Sequence, residues 1–264
     1  MMQRDVENVK IQRFAEETSS SVDDVVAREY PLTIILNDRE LVTLLCSPAD
    51  LKCLAIGFLT SEGLIANKED IKRILVDETR GVVRVETGEE KGEVDEVFKR
   101  FISSGCGRGA SFYSAADVAG MSKIKSGLCI SPAAITSLFR DFQQRSELYR
   151  STGGVHSAAL CDLNSILVFA EDVGRHNAVD KIFGKCFLEA MSTDDRIVLT
   201  SGRISSEILL KVARRGIPLL ASKSAPTDLG VKLAGDLGIT LLGFVRGRRM
   251  NVYANEWRIQ DATS

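Results

Sequence analysis

The stretch Ile197–Phe244, IVLTSGRISSEILLKVARRGIPLLASKSAPTDLGVKLAGDLGITLLGF, decides the fold. Ile197–Thr200 reads as a buried strand, Ser205–Arg214 as a helix and Pro218–Ala221 as a second strand. A helix over Thr227–Leu237 and a third strand over Thr240–Phe244 follow. Strands alternating with helices at this spacing predict a layered α/β arrangement.

The pattern extends toward the N-terminus. Ser157–Cys161 and Ile166–Ala170 form a predicted hairpin turning at Asp162–Asn164, and a helix is expected from about Asn177 to Ala190. Ser131-Pro132 offers an N-cap followed by proline at the first helical position, which predicts a helix to about Leu148. The unit 129–264 is therefore expected to be one α/β domain. Residues 29–128 read as a smaller α+β region, and the whole chain as α/β, or α+β overall. Within that smaller region, Leu32–Leu36 and Leu41–Leu45 flank Asn37–Glu40 as a hairpin. Ser47-Pro48 starts a helix running to about Glu62, and strand-like pieces follow at 71–76, 82–86 and 94–98. Residues 1–28 are polar and acidic and read as a flexible lead-in.

Of the 264 residues, 44% are hydrophobic and 27% charged, enough apolar material for a core without staples. The formal net charge of -2 argues against bulk electrostatic binding of nucleic acid. No apolar run reaches the length of a bilayer span or a secretory leader, so no membrane association is expected and a cytoplasmic location is. The cysteines at 46, 53, 106, 129, 161 and 186 show no Cys-x-x-Cys pair, which speaks against structural zinc. Cys46, Cys53, Cys161 and Cys186 fall in apolar-periodic or helical stretches and read as buried free thiols.

Cys106 differs. It lies in the small-residue loop Ser103-Ser104-Gly105-Cys106-Gly107-Arg108-Gly109-Ala110-Ser111, where glycines permit unusual backbone and a near cation favours thiolate. Thr200-Ser201-Gly202-Arg203 joins a strand to a helix, a turn that aims N–H groups and a cation at one spot and so suits phosphate. Ser222-Lys223-Ser224 ends the next strand. Phe244-Val245-Arg246-Gly247-Arg248-Arg249 sets three arginines beyond the last one. Ligands of open α/β sheets bind beyond the carboxyl ends of strands, so these turns are expected to wall one anionic, nucleotide-like site. The two histidines, His156 and His176, show no metal-ligand spacing. Each also reads as a structural hydrogen-bonder, with His176 and Asn177 capping a helix.

These motifs, with Gly153-Gly154-Val155-His156 and Glu171-Asp172-Val173-Gly174-Arg175-His176-Asn177-Ala178-Val179-Asp180-Lys181, resemble the formate dehydrogenase accessory proteins of the FdhD type. The resemblance spans about residues 28–255. It implies a sulfurtransferase: a cysteine desulfurase loads sulfane sulfur onto Cys106 as a persulfide. That sulfur passes to the molybdenum cofactor bis-(molybdopterin guanine dinucleotide), or its tungsten form, destined for formate dehydrogenase. It implies cofactor contacts from Phe244, Val245, Arg246, Gly247, Arg248 and Arg249. Ser201, Gly202, Arg203, His176, Ser222 and Lys223 complete the expected site. It further implies a cytidine-deaminase-like C-terminal fold and a homodimer. The family's loop is usually Cys-Gly-x-Cys-Gly, whereas Gly109 stands here at the second cysteine. The chain is therefore expected to work with one loop thiol, or alternatively to have kept cofactor binding as a chaperone and lost sulfur transfer. A zinc deaminase would need a His-x-Glu element and a Pro-Cys-x-x-Cys pair, and the sequence has neither.

Overall fold

The computed structural model describes residues 4–16, 18–88 and 120–260. Cys106 with its neighbours, Gly109 and the expected strand at 94–98 lie outside the described residues.

A four-stranded sheet has the order β4-β3-β6-β5, from β3 (Tyr30–Leu36), β4 (Arg39–Cys46), β5 (Ile71–Asp77) and β6 (Val82–Thr87). Leu32, Ile34 and Leu36 of β3 are buried at every second position, which commits one face to a core. The β3–β4 connection is tighter than expected. Asn37 and Asp38 both have positive φ, 48° and 62°, the backbone of a two-residue hairpin turn. Helix α1 (Leu51–Ser61) covers the buried face with Leu54, Phe58 and Leu59.

The six-stranded sheet has the order β12-β11-β10-β9-β7-β8. Its strands are β7 (His156–Cys161), β8 (Ile166–Asp172), β9 (Ile197–Thr200), β10 (Leu219–Ser222), β11 (Thr240–Arg246) and β12 (Arg249–Ala254). Strands β9, β10 and β11 are mutually parallel, and the other pairings are antiparallel. All four residues of β9 and of β10 are buried, as sheets with both faces covered require. Helices α4 (Arg175–Leu188), α5 (Ser206–Arg214) and α6 (Asp228–Leu237) cover one face. On the other lies α2 (Pro132–Arg145), through Ile135, Leu138, Phe139 and Phe142. Ser131 caps α2 as expected, accepting from the Ala134 N–H at 3.2 Å. The single helix expected to Leu148 is two: Ser146 interrupts it and α3 (Glu147–Thr152) follows.

Helix α4 also packs against α1, so the sheets and helices stack in layers. The contact is backbone-close. A Cβ on Gly184 would meet the Cys53 carbonyl oxygen at 1.8 Å, and one on Gly57 the Asp180 carbonyl oxygen at 1.8 Å. Only glycine fits at either position.

Two local expectations are corrected. The lead-in 1–28 contains an antiparallel hairpin, β1 (Val6–Ala15) with β2 (Thr18–Ala27). Most of its side chains are exposed, so pairing left no apolar stripe to read. Its base is fixed by Asp5, whose carbonyl accepts from the Arg28 N–H and whose carboxylate accepts from the Ala49 N–H. The helix expected from Ser47-Pro48 begins at Leu51, after Asp50 in the left-handed region. Ser47 is engaged elsewhere: its hydroxyl accepts from the Val173 N–H at 3.1 Å.

Candidate functional site

The parallel strands β9, β10 and β11 end on one edge, where β7 begins and β8 ends. A cavity of about 870 Å³ opens there. Its wall includes Ser201 after β9, Lys223 and Ser224 after β10, and Arg246 and Gly247 at the end of β11. The opposite wall comes from α2, α3 and the following turn: Phe142, Gln143, Ser146, Tyr149, Arg150, Gly153 and Gly154. His156 and Ser157 of β7 lie between them.

The chemistry of this wall is one-sided. Among the described residues of the wall, Arg150, Lys223 and Arg246 contribute three cations, and none is Asp or Glu. Lys223 holds its ammonium 5.9 Å above the Tyr149 ring, and the Arg246 Nε donates to the Lys223 carbonyl at 3.3 Å. Arg150 also donates to the Gln143 and Gln144 carbonyls at the end of α2. The carboxylate of Glu171 is engaged below the wall, accepting from the Leu148 and Tyr149 N–H groups at 3.0 Å each and so capping α3. Burial pushes its carboxyl pKa up. A cavity walled by cations, aromatic rings and hydroxyls suits an anion carrying a flat ring, such as a nucleotide.

Of the residues expected at the site, Ser201, Lys223, Arg246 and Gly247 line the cavity. The others do different work. Ser222 is fully buried and donates its hydroxyl to the Gly202 carbonyl at 2.6 Å, tying the turns after β9 and β10 together. Val245 packs in the core shared with α2. Phe244 stands at φ 52°, its N–H donating to the Ser224 carbonyl and its ring 5.7 Å from the Arg246 guanidinium carbon. Gly202 is buried, with room for no Cβ beside Arg175. Arg203, Arg248 and Arg249 are exposed and outside the lining.

His176 is also outside the lining, in the first turn of α4. It does not cap that helix: the N-cap is Gly174 and no side chain closes it. Its Nδ1 lies 3.3 Å from a Glu207 carboxylate oxygen, and its Nε2 is buried without a hydrogen-bond partner among the described residues. Burial, with the Arg175 and Lys211 charges, pushes its pKa down to about 3, so the ring is neutral. A carboxylate accepts only, which places the proton on Nδ1.

The rest of the 171–181 segment builds a seam between the two halves of the chain. Asp172 and Lys181, at 0% and 1% side-chain exposure, form an ion pair at 2.7 Å. Asp172 also accepts from the N–H groups of Ser47 and Gly174 and from the Asn177 amide. Lys181 donates to the Ser47 carbonyl, and Asn177 to the Leu45 carbonyl. One turn further along α4, Asp180 accepts from the Ser61 hydroxyl and the Lys211 ammonium.

The described cysteines 46, 161 and 186 are buried, and burial pushes their thiols up to about 12, about 12 and about 11. Burial also raises Cys53. Such thiols stay protonated and are poor nucleophiles. Among the described residues no group of three or more His, Cys, Asp or Glu is placed to hold a metal ion, and no helix is long and apolar enough to cross a membrane.

The model of the FdhD/NarQ family matches residues 27–260. The chain is 45% identical over 250 residues to the sulfur carrier protein FdhD of Bacillus subtilis, covering 94% of this chain and 95% of that one. It is 42% identical over 257 residues to the protein of that name from Listeria monocytogenes serotype 4b, covering 96% and 98%. A crystal structure from Desulfotalea psychrophila, described as a formate dehydrogenase accessory protein, superposes with a TM-score of 0.80. It shares 31% identity and is covered over 99% of its length by 97% of this chain.

Proposed function

Because the chain belongs to the FdhD/NarQ family, we propose that it is a cytoplasmic sulfur carrier serving formate dehydrogenase, with Cys106 as its sulfurtransferase nucleophile. The Cys106 thiolate attacks the outer sulfur of a cysteine desulfurase persulfide, and the desulfurase thiolate leaves. The sulfane sulfur is then held as a Cys106 persulfide with no net oxidation. Its destination is the molybdenum or tungsten of a bis-(molybdopterin guanine dinucleotide) cofactor, the cargo of the protein. The cavity wall of Ser201, Lys223, Arg246 and Gly247 receives a guanine dinucleotide arm, and two copies of the chain form the working unit.

The observation that carries the cofactor half of this reading is the cavity at the carboxyl ends of β9, β10 and β11, whose described lining has three cations and no carboxylate. For the sulfur half, the raised pKa values of Cys46, Cys53, Cys161 and Cys186 make those thiols unsuited to sulfane transfer, while the sequence around Cys106 favours a thiolate. Gly109 at the second loop position supports one rival, a chaperone that carries the cofactor and moves no sulfur.

Intact-mass measurement after incubation with a cysteine desulfurase and cysteine separates the two. A reductant-reversible gain of one sulfur, lost in Cys106→Ala, is expected. No gain on the wild-type chain, beside a two-cysteine relative that does gain, gives the chaperone reading the place.

A further inference from the structure

His156 and Ser201 both line the cavity. The His156 Nδ1 lies 3.3 Å from the Ser201 Oγ. That Oγ already accepts the Ser157 N–H at 2.9 Å, and the Ser201 N–H returns to the Ser157 carbonyl at 3.0 Å. The turn after β9 is thus clamped to β7 at both ends of one serine. The Ser201 hydroxyl has one proton to give, and among the described residues His156 Nδ1 is the acceptor within its reach. With Ser201 donating, Nδ1 is an acceptor and the ring proton sits on Nε2. The Arg175 side chain packs beside the same turn, its Cβ 2.9 Å from where a Gly202 Cβ would stand, with His156 Nδ1 at 3.5 Å. Burial opposes a second proton on the imidazole, and the Arg175 charge acts in the same direction.

We propose that His156 is a specificity-determining donor of the cavity: Ser201 positions it as the neutral Nε2–H tautomer, and that N–H reads a hydrogen-bond acceptor on the bound guanine nucleotide. This rests on the nucleotide reading of the cavity and adds the atom that makes the contact. The three cations attract any anion, whereas one fixed N–H demands an acceptor at one place. The acceptor is a purine ring atom or a phosphate oxygen. Ser201 acts through His156 and is a positioning residue.

The chain has two histidines, so its imidazole nitrogen spectrum is simple. Long-range proton–nitrogen NMR of the wild-type chain carrying 15N-histidine, assigned with His176→Gln, reads both rings. His156 is expected as the Nε2–H tautomer at neutral pH and His176 as the Nδ1–H tautomer, with GDP shifting His156 Nε2. Ser201→Ala is expected to turn the His156 signals into a mixture of tautomers. In calorimetry with GDP, His156→Ala is expected to weaken binding about tenfold, the scale of one hydrogen bond. His156→Gln, whose amide N–H reaches the Nε2 position, is expected to restore most of it. A loss for GDP with none for inorganic pyrophosphate places the acceptor on the nucleoside, and equal losses place it on phosphate. An Nδ1–H or doubly protonated His156, or unchanged GDP affinity in His156→Ala, overturns the assignment while leaving the nucleotide reading intact. A wild-type chain that binds no GDP overturns both.

Discussion

The seam and the cavity are built from the same kinds of residue and do opposite things with them. In the seam, Asp172, Asn177, Asp180, Lys181 and Lys211 are buried, and each bonds within the chain. In the cavity, Lys223 and Arg246 line open space, with no carboxylate among the described residues of the wall. Both regions flank the carboxyl edge of one sheet, and both come from segments that read as chemistry in the sequence. What sorts them is satisfaction: a charged group whose bonds close inside the chain holds the fold, and one aimed at space awaits a ligand.

The largest effect belongs to the seam. Lys181→Met leaves the Asp172 carboxylate buried without its cation, and removing one partner of a buried pair costs about 3–5 kcal/mol. Urea denaturation is expected to show that loss. Neutralising both partners, as Asp172→Leu with Lys181→Met, is expected to give no rescue. Asp172 also accepts from the Ser47 and Gly174 N–H groups and the Asn177 amide, donors the double variant would orphan. Full rescue would mean that these hydrogen bonds are incidental to the seam.

The cavity is expected to respond in affinity while stability stays put. Arg246→Ala or Lys223→Ala should weaken GDP binding by about 1.5–3 kcal/mol, roughly ten- to a hundredfold, if each makes a charge-assisted bond to phosphate. Arg249 sits in the same run of sequence but outside the wall, so Arg249→Ala is expected to change affinity less than Arg246→Ala by calorimetry. Equal losses at 246 and 249 would break the boundary drawn between wall and surface.

Five strands of the six-stranded sheet were legible, most plainly where burial on both faces leaves continuous apolar runs, as in Ile197–Thr200 and Leu219–Ala221, whereas the edge strand β12, with no buried residue, left no such run to read. The ends of the legible strands pointed to the correct turns for one wall. The other wall was not legible, because it depends on the break at Ser146. There the hydroxyl donates to the Phe142 carbonyl and lies 2.9 Å from the Ser157 hydroxyl, a partner on a different element. The start of α1 was hidden for the same reason: Ser47, a good cap on local grounds, is taken by Val173 and Asp172. Motif reading also could not separate Arg246 from Val245 or Lys223 from Ser222, since neighbours on a strand end point to opposite sides.

His176 tests the boundary between the two regions, and within any one pH unit its effect is the smallest. It lies on α4 with the seam residues yet keeps one buried nitrogen unbonded among the described residues. Its pKa is pushed from 6.5 down to about 3 in the folded chain. Between those values the unfolded chain binds a proton that the folded chain refuses, so stability falls as pH drops from 6.5 toward 3. The slope contributed is at most about 1.4 kcal/mol per pH unit. His176→Gln removes the titration, so its denaturation midpoints from about pH 7 to about pH 4 should fall less steeply than those of the wild-type chain. Parallel curves would mean that the folded chain admits the proton. His176 would then behave as an open, ligand-facing group like those of the cavity, rather than as a member of the seam.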